Sequence, residues 1–317
     1  MIPDLATIEA AANRIAPHIH HTPVMSSSFL NTMTGSEIFM KCENFQKVGA
    51  FKSRGACNAV FSLSEEELSH GVCTHSSGNH AQALARAARI RGCKAYIVMP
   101  ETAPSVKVEA VRGYGGIITF CKPTLAAREE TLRQVMGKTG AVEIHPYNDY
   151  RIIAGQATAA MELLQSIPDL EIIMAPVGGG GLLSGTALST KYLSPSTRVI
   201  AAEPKGADDA YRSLKARQII PSVSPVTIAD GLLTSLGTLT FPIILDNVGQ
   251  ILTVSEEAIV RAMQLVWERM KIIIEPSSAV PIGAILENPD IFKGKKTGVI
   301  ISGGNVNLNK LPWQIQS

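Results

Sequence analysis

"GVCTHSSGNHAQALARAARIRGCKAYIVMP", residues 71–100, changes its hydrophobic period twice. Residues 71–77 form a short β-prone run ending in small polar side chains. Residues 78–92 follow helical spacing and close on Gly92, and 94–100 is again apolar and β-prone. The alternation continues through "SVKVEAVRGYG" (105–115, helical) and "GIITFC" (116–121, strand-like). Strand, helix, strand, helix, strand predicts right-handed crossovers and a parallel sheet. The pattern returns in "EIIMAPV" (171–177), "GGGGLLSGTALSTKYL" (178–193) and "RVIAAEP" (198–204), and a last buried strand leads into "SGGNVNL" (302–308). The chain is therefore α/β, with 71–148 as a self-contained smaller unit and 1–70 plus 149–317 as the larger one. A long helix within 253–274 is expected to open with a capping box of Thr253 and Glu256.

Composition narrows the function. Of 317 residues, 45% are hydrophobic and only 18% charged, below the roughly 25% typical of soluble domains, which points to extensive burial and a subunit interface. The net charge of +2 comes without any basic block, against a nucleic-acid partner. Cys42, Cys57, Cys73, Cys93 and Cys121 are scattered, odd in number and without a CxxC pair, and the N-terminus reads as an amphipathic helix. Free thiols in the reducing cytoplasm fit this usage. "KIIIEPSSAVPIGAIL" (271–286) is broken by Glu275, Pro276 and Pro281, short of the ~20 apolar residues a membrane span requires.

Open parallel sheets bind ligands beyond the carboxyl ends of their strands. Those ends carry Ser76-Ser77-Gly78-Asn79-His80, Gly178 to Gly181, Glu203 and Ser302-Gly303-Gly304-Asn305. In "APVGGGGLLSG" (175–185), successive glycine N–H groups at a helix start suit an anion, although a flexible turn is the plainer alternative. Gly185 is followed by Thr186 and Ala187 rather than Lys and Ser/Thr, and Leu183 breaks GxGxxG, so a single phosphate is expected. "THSSGNHAQAL" (74–84) offers N–H groups for a carboxylate, or an ordinary cap at Ser77 or Asn79. Ser302 ends a buried strand and by itself reads equally as part of a ligand site or as another strand-to-helix turn. Lys52, in "VGAFKSRGA" (48–56), is either a solvated charge beside Arg54 or a desolvated amine with nucleophilic character. A lysine that forms a Schiff base with a phosphate-bearing aldehyde describes pyridoxal phosphate.

"FQKVGAFKSRGA", "SSGNHAQAL", "VGGGG", "LSG", "AAEP", "ADG" and "SGGNV", in this order, resemble the fold-type II pyridoxal-phosphate enzymes over nearly the whole chain. The resemblance is strongest to the eukaryotic serine racemases and related serine/threonine dehydratases. It implies a tryptophan synthase β-like fold of two open parallel-sheet α/β domains, with the active site in the cleft between them and 71–148 closing over substrate. It also implies that Lys52 carries the cofactor, Phe51 flanks its ring, Asn79 bonds the ring oxygen and Ser302 faces the ring nitrogen. Gly178, Gly179, Gly180 and Gly181 would hold the phosphate. Ser76, Ser77, Asn79 and His80, with Arg128, would hold the substrate carboxylate, and Ser77 would be the proton donor opposite Lys52. A serine at 302 does not force ring protonation, which favours α-proton chemistry and β-elimination over transamination.

Glu203 and Asp209 in "AAEPKGADDAY" (201–211) are surface carboxylates on the bland reading. The resemblance makes them, with the Ala207 carbonyl, ligands for Mg²⁺, Ca²⁺ or Mn²⁺. It further implies a homodimer that binds ATP as an effector at Ser27, Ser28, Lys47, Gln82, Tyr114, Lys271 and Asn305. The expected activity is interconversion of L- and D-serine with elimination of serine to pyruvate and ammonia. The rivals are an L-serine/L-threonine or 3-hydroxyaspartate ammonia-lyase and, more remotely, a non-catalytic ATP- or amino-acid-binding sensor.

Overall fold

The computed structural model describes residues 1–314 and contains two sheets. Strands β1 (Val24–Met25), β2 (Glu37–Cys42), β7 (Ile172–Pro176), β8 (Arg198–Pro204), β9 (Gln250–Val254) and β10 (Lys296–Ile301) form the larger one. Strands β3 (Val72–His75), β4 (Ala95–Pro100), β5 (Ile117–Cys121) and β6 (Val142–Glu143) form the smaller one. The larger sheet runs β1-β2-β10-β7-β8-β9 and the smaller β5-β4-β3-β6. Every pairing is parallel except β1 with β2. Parallel strands covered on both faces read as continuous apolar runs, and β7 (IIMAP) is buried at every position. The core beneath the smaller sheet also draws in Ala56, Cys57, Val60 and Leu68, from before residue 71. Among the described residues no helix is long and apolar enough to cross a membrane.

The capping box expected at Thr253 is not formed. β9 stays paired with β8 as far as Val254, opposite Pro204, so the helix cannot begin before Ser255. Ser255 caps Glu256–Met270 by accepting from the Ala258 N–H, while the Glu256 carboxylate accepts from the Ile228 N–H. A capping box does occur elsewhere, at Ser64 and Glu67.

Three helices set the position of Lys52. It opens the helix Lys52–Phe61, which lies on Tyr150–Ser166, and that helix lies on Gly181–Leu193. Only glycine permits these approaches. A Cβ on Gly155 would stand 2.6 Å from the Gly55 Cα, and one on Gly185 would stand 2.6 Å from the Ala157 nitrogen. Arg54 is wholly buried rather than part of a basic surface. Its guanidinium holds Glu43 (2.7 Å) and Glu162 (2.6 Å), and Lys41 reaches Glu162 at 2.6 Å. This network ties the helix of Lys52 to the end of β2 and to Tyr150–Ser166. Replacing Gly155 by alanine is therefore expected to destabilise the fold by about 2–3 kcal/mol through overpacking. Thermal unfolding measures the effect, and an unchanged midpoint would contradict the close packing.

Candidate active site

Lys52 sits one residue after Phe51, whose N–H donates to the Ser302 carbonyl at 2.9 Å. The Lys52 Nζ donates to the Pro146 carbonyl at 2.8 Å and lies 5.1 Å from the centre of the Phe51 ring. Desolvation pulls this amine down from 10.5 to about 8, against the opposing charge of Glu275. At that position a substantial fraction is neutral near physiological pH, as a nucleophile or proton acceptor requires.

Pro146 belongs to a strap, residues 145–149, between β6 and the helix Tyr150–Ser166. The His145 Nδ1 accepts from the N–H groups of Tyr147 (3.3 Å) and Asn148 (2.9 Å), which leaves its proton on Nε2. Burial pushes that imidazole down to about 4, so it stays neutral. The Asn148 side chain grips the Leu239 N–H at 2.7 Å, and Asp149 caps the following helix. The sequence alone assigns these strap residues no role. Their contacts run to residues about 90 positions away, so no local pattern reveals them.

Beyond β7 the glycines form a cradle. Gly180 takes a φ of 89° and precedes the helix Gly181–Leu193, which has no side-chain cap. A Cβ on Gly178 would come within 2.9 Å of the Leu232 Cα, and one on Gly179 would collide with the Tyr147 ring. The Gly179 carbonyl is held by the Thr240 hydroxyl at 2.8 Å, whereas the N–H groups of Gly178, Gly179, Gly180 and Gly181 donate to no protein acceptor among the described residues. Converging free N–H groups at a helix start suit a phosphate.

A second bare helix start follows β3. Gly78 precedes Asn79–Arg91, and neither Ser77 nor Asn79 caps it. The Ser76 hydroxyl accepts from the Gly78 N–H at 3.3 Å, while the half-buried Ser77 hydroxyl has no hydrogen bond among the described residues. The His80 ring is buried, bonded through Nε2 to the Ile144 carbonyl at 2.9 Å and pushed down by burial to about 3. It can serve an anion only through its backbone N–H. Arg128, on the helix Leu125–Thr139, is half-buried, and its Nε is buried without an acceptor among the described residues.

Ser302 follows β10, is 3% exposed, and places its hydroxyl 3.0 Å from that of Ser278. Between Ser302 and Asn79 lies a residue that sequence reasoning passed over. Glu275 accepts from the Asn79 Nδ2 at 3.1 Å and from the Asn305 N–H at 3.2 Å. An acid ending the apolar run "KIII" was the available signal, and it was read only as a break against a membrane span.

The carboxylates at the end of β8 and just beyond it are not on the surface: Glu203 and Asp209 are both 0% exposed. Glu203 accepts from the N–H groups of Ala210 (2.9 Å) and Tyr211 (2.8 Å), and burial pushes it up to about 8. Asp209 is pushed up to about 6 by burial, against the opposing effect of the Ser222 hydroxyl, and neither of its oxygens is within full hydrogen-bond geometry of a donor among the described residues. Buried acceptors of this kind, beside the turn carrying Ala207, fit a hard cation. The described residues hold no cluster of three His, Cys, Asp or Glu side chains, so backbone oxygens or water would have to complete the shell.

The positions matched to ATP fall in three places within the protomer. Buried Ser27, which caps Ser28–Thr34, and exposed Ser28 and Lys271 lie where the Arg269 guanidinium covers the Phe29 ring at 4.2 Å. Lys47 lies in the turn 47–49, where the Asn305 Nδ2 donates to the Val48 carbonyl at 2.8 Å, and Gln82 belongs to the helix Asn79–Arg91, which packs on that turn. Tyr114 stands against Arg89, with 5.8 Å between ring centre and guanidinium carbon.

The family profile described as "Pyridoxal-phosphate dependent enzyme" matches residues 15–303. The chain is 53% identical to the β-hydroxyaspartate dehydratase of Paracoccus denitrificans (strain Pd 1222), covering 98% of this chain and 99% of that protein. It is 54% identical to the serine racemase of Dictyostelium discoideum, covering 97% and 96% respectively. The solved structure of maize serine racemase superposes with a TM-score of 0.95 at 47% identity, covering 98% of this chain and 95% of that one.

Proposed function

Since the chain belongs to the family of pyridoxal-phosphate dependent enzymes of fold type II, we propose that it interconverts L- and D-serine and also eliminates water from serine to give pyruvate and ammonia. The observation that carries this reading is the desolvated Lys52 amine in the same cleft as an uncommitted Ser77 hydroxyl. Glycine N–H groups without acceptors, and side chains that only glycine clears, fit the phosphate of the cofactor.

Pyridoxal phosphate, when bound, supplies the electron sink that makes the substrate α-hydrogen acidic. Gly178 to Gly181 would hold its phosphate through backbone N–H groups, Asn79 would donate to its ring oxygen, and Ser302 would serve its ring nitrogen. The bare helix start from Ser76 to His80 binds the substrate carboxylate, and Arg128 adds charge from the smaller unit. Lys52 takes the α-proton on one face of the substrate. Ser77 returns a proton to the same carbon on the other face, which inverts the centre. When the β-hydroxyl leaves first, it takes up a proton and departs as water, and hydrolysis of what remains gives pyruvate and ammonia. Residues 71–148 act as the closing unit, and the 2.7 Å pair of Lys107 with Asp230 is one of its contacts with the larger one.

A second reading, dehydration of 3-hydroxyaspartate, is favoured by the Paracoccus relative and by the unpaired Arg128 Nε, which suits a further carboxylate. Chiral analysis together with keto-acid detection separates the two, using serine, threonine, aspartate and 3-hydroxyaspartate with and without Mg-ATP. D-serine from L-serine alongside pyruvate is expected. Rapid keto-acid release from 3-hydroxyaspartate with no D-serine would favour the second reading.

Glu203, Asp209 and the Ala207 carbonyl bind Mg²⁺, with Ca²⁺ or Mn²⁺ as substitutes. The cation needs both carboxylates ionised, and these are held at about 6 and about 8. Thermal stabilisation by Mg²⁺ is therefore expected to be small near pH 6, to grow as pH rises through 8, and to vanish in Asp209→Ala. Equal stabilisation at both ends of that range would count against the site. The enzyme is a cytoplasmic homodimer. Phe29 (40% exposed), Met33 (37%) and Ile273 (45%) supply apolar surface next to Ser28 and Lys271, where ATP bound at the interface acts as effector.

A further inference from the structure

Glu275 precedes the helix Pro276–Glu287 but does not cap it with its side chain. Its carboxylate accepts instead from the Asn79 Nδ2, at 3.1 and 3.2 Å to the two oxygens, and from the Asn305 N–H at 3.2 Å. The loop after β10 closes over it, since a Cβ on Gly303 would stand 3.0 Å from the carboxylate. On the far side of Asn79, the Asn305 Nδ2 donates to the Asn79 Oδ1 at 2.9 Å and to the Val48 carbonyl at 2.8 Å. A carbonyl can only accept, so Val48 fixes which end of the Asn305 amide points inward. That end supplies a donor to the Asn79 oxygen, and a carboxylate, also an acceptor, takes the Asn79 nitrogen. Val48 adopts a φ of 55°, a left-handed conformation that β-branched residues rarely take. The strain aims its carbonyl at Asn305 and is the kind that surrounding structure must sustain.

We propose that Glu275, together with the Val48 carbonyl acting through Asn305, fixes the Asn79 amide so that one of its N–H bonds is kept for the cofactor's ring oxygen. This inference rests on the pyridoxal-phosphate reading. The Asn79 Nδ2 stands 3.2 and 3.1 Å from the two oxygens of one carboxylate, which lie on the same side of the amide, and two N–H bonds pointing about 120° apart cannot both aim there, so one is left for another acceptor. Turned over, the amide would set an oxygen against the ring oxygen and a donor against the Asn305 donor. Glu275 and Asn305 are thus positioning residues. The charged groups facing the carboxylate are Lys52 from the helix Lys52–Phe61, Asp230 from the turn Asp230–Leu232 and Lys107 from the helix Ser105–Gly113. Burial pushes Glu275 up to about 7, so its carboxylate is ionised above that pH, and there it favours the protonated form of the Lys52 nitrogen.

The test is the pH titration of the holoenzyme's visible absorption band in wild type, Glu275→Gln, Glu275→Asp and Asn305→Ala. Glutamine keeps the shape but removes the charge and offers an N–H, so it accepts Asn79 in either orientation. In Glu275→Gln the alkaline loss of the band is expected about one pH unit or more lower. There kcat is expected to fall by about tenfold or more with KM little changed, and Glu275→Asp to recover the midpoint. Asn305→Ala keeps the charge but frees the amide, so cofactor affinity is expected to drop by roughly fivefold with the midpoint unmoved. A wild-type protein that never acquires the band removes the cofactor reading itself. A coloured wild type whose Glu275→Gln variant titrates and turns over like it overturns the positioning role. Where Glu275→Gln does not fold, unchanged cofactor affinity in Asn305→Ala overturns it.

Discussion

Lys52→Ala is expected to abolish both reactions, with turnover lower by roughly 10⁴-fold or more, and to leave the purified protein colourless. The loss is large because one nitrogen serves twice, as the cofactor's anchor and as the base at the α-carbon. Nothing else nearby can replace it. Arg54 is buried between Glu43 and Glu162, and Lys41 is committed to Glu162 and the Thr22 carbonyl. Lys52→Arg should fail equally, because a guanidinium does not give up its proton in this range. The sign of the pH effect follows from the desolvated amine: uptake of pyridoxal phosphate by the cofactor-free wild type is expected to accelerate as pH rises toward about 8 and then level off. Absorption spectra and stopped-flow uptake measure both. A yellow, active Lys52→Ala protein would refute the assignment outright.

The fold was legible because the larger sheet's central strands and the smaller sheet are parallel and covered. Each such strand announces itself as an apolar run, and each crossover as a helix with its own period. The helix boundary at Ser255 was less legible, since pairing with β8 carries β9 through Thr253 and decides where the strand stops. The glycine turn and Ser302 are marked by their place at strand ends, where this architecture collects ligands, whereas Lys52 opens a helix and is marked by the resemblance. Glu275 could not be read: its partners Asn79 and Asn305 lie 196 and 30 residues away, and its own surroundings look like a helix start after an apolar run. The same holds for Arg54, whose environment comes from Glu43 and Glu162. For Glu203 and Asp209, a local pattern allowed surface and buried readings alike, and only three-dimensional burial separates them.

Ser77→Ala is expected to cut formation of D-serine from L-serine by about 100-fold or more, while elimination of L-serine stays within roughly tenfold of wild type. The two outcomes diverge because they place different demands on one carbon. Elimination of L-serine needs only the base on the Lys52 face, followed by departure of the β-hydroxyl. Racemisation also needs a proton delivered from the other face, and the Ser77 hydroxyl, free of other hydrogen bonds among the described residues, is the group placed to supply it. The geometry makes a second, asymmetric demand. Elimination starting from D-serine requires proton removal on the Ser77 side, so it should collapse along with racemisation while the L-enantiomer is still consumed. In deuterated solvent, recovered L-serine should keep exchanging its α-hydrogen in the variant with no inversion, because Lys52 still removes and returns that proton on its own face. Chiral chromatography of both enantiomers with pyruvate detection reads all three effects. Equal loss of L-serine elimination and D-serine formation would show that Ser77 holds the substrate or the loop rather than the second proton, and the two-face assignment would fall.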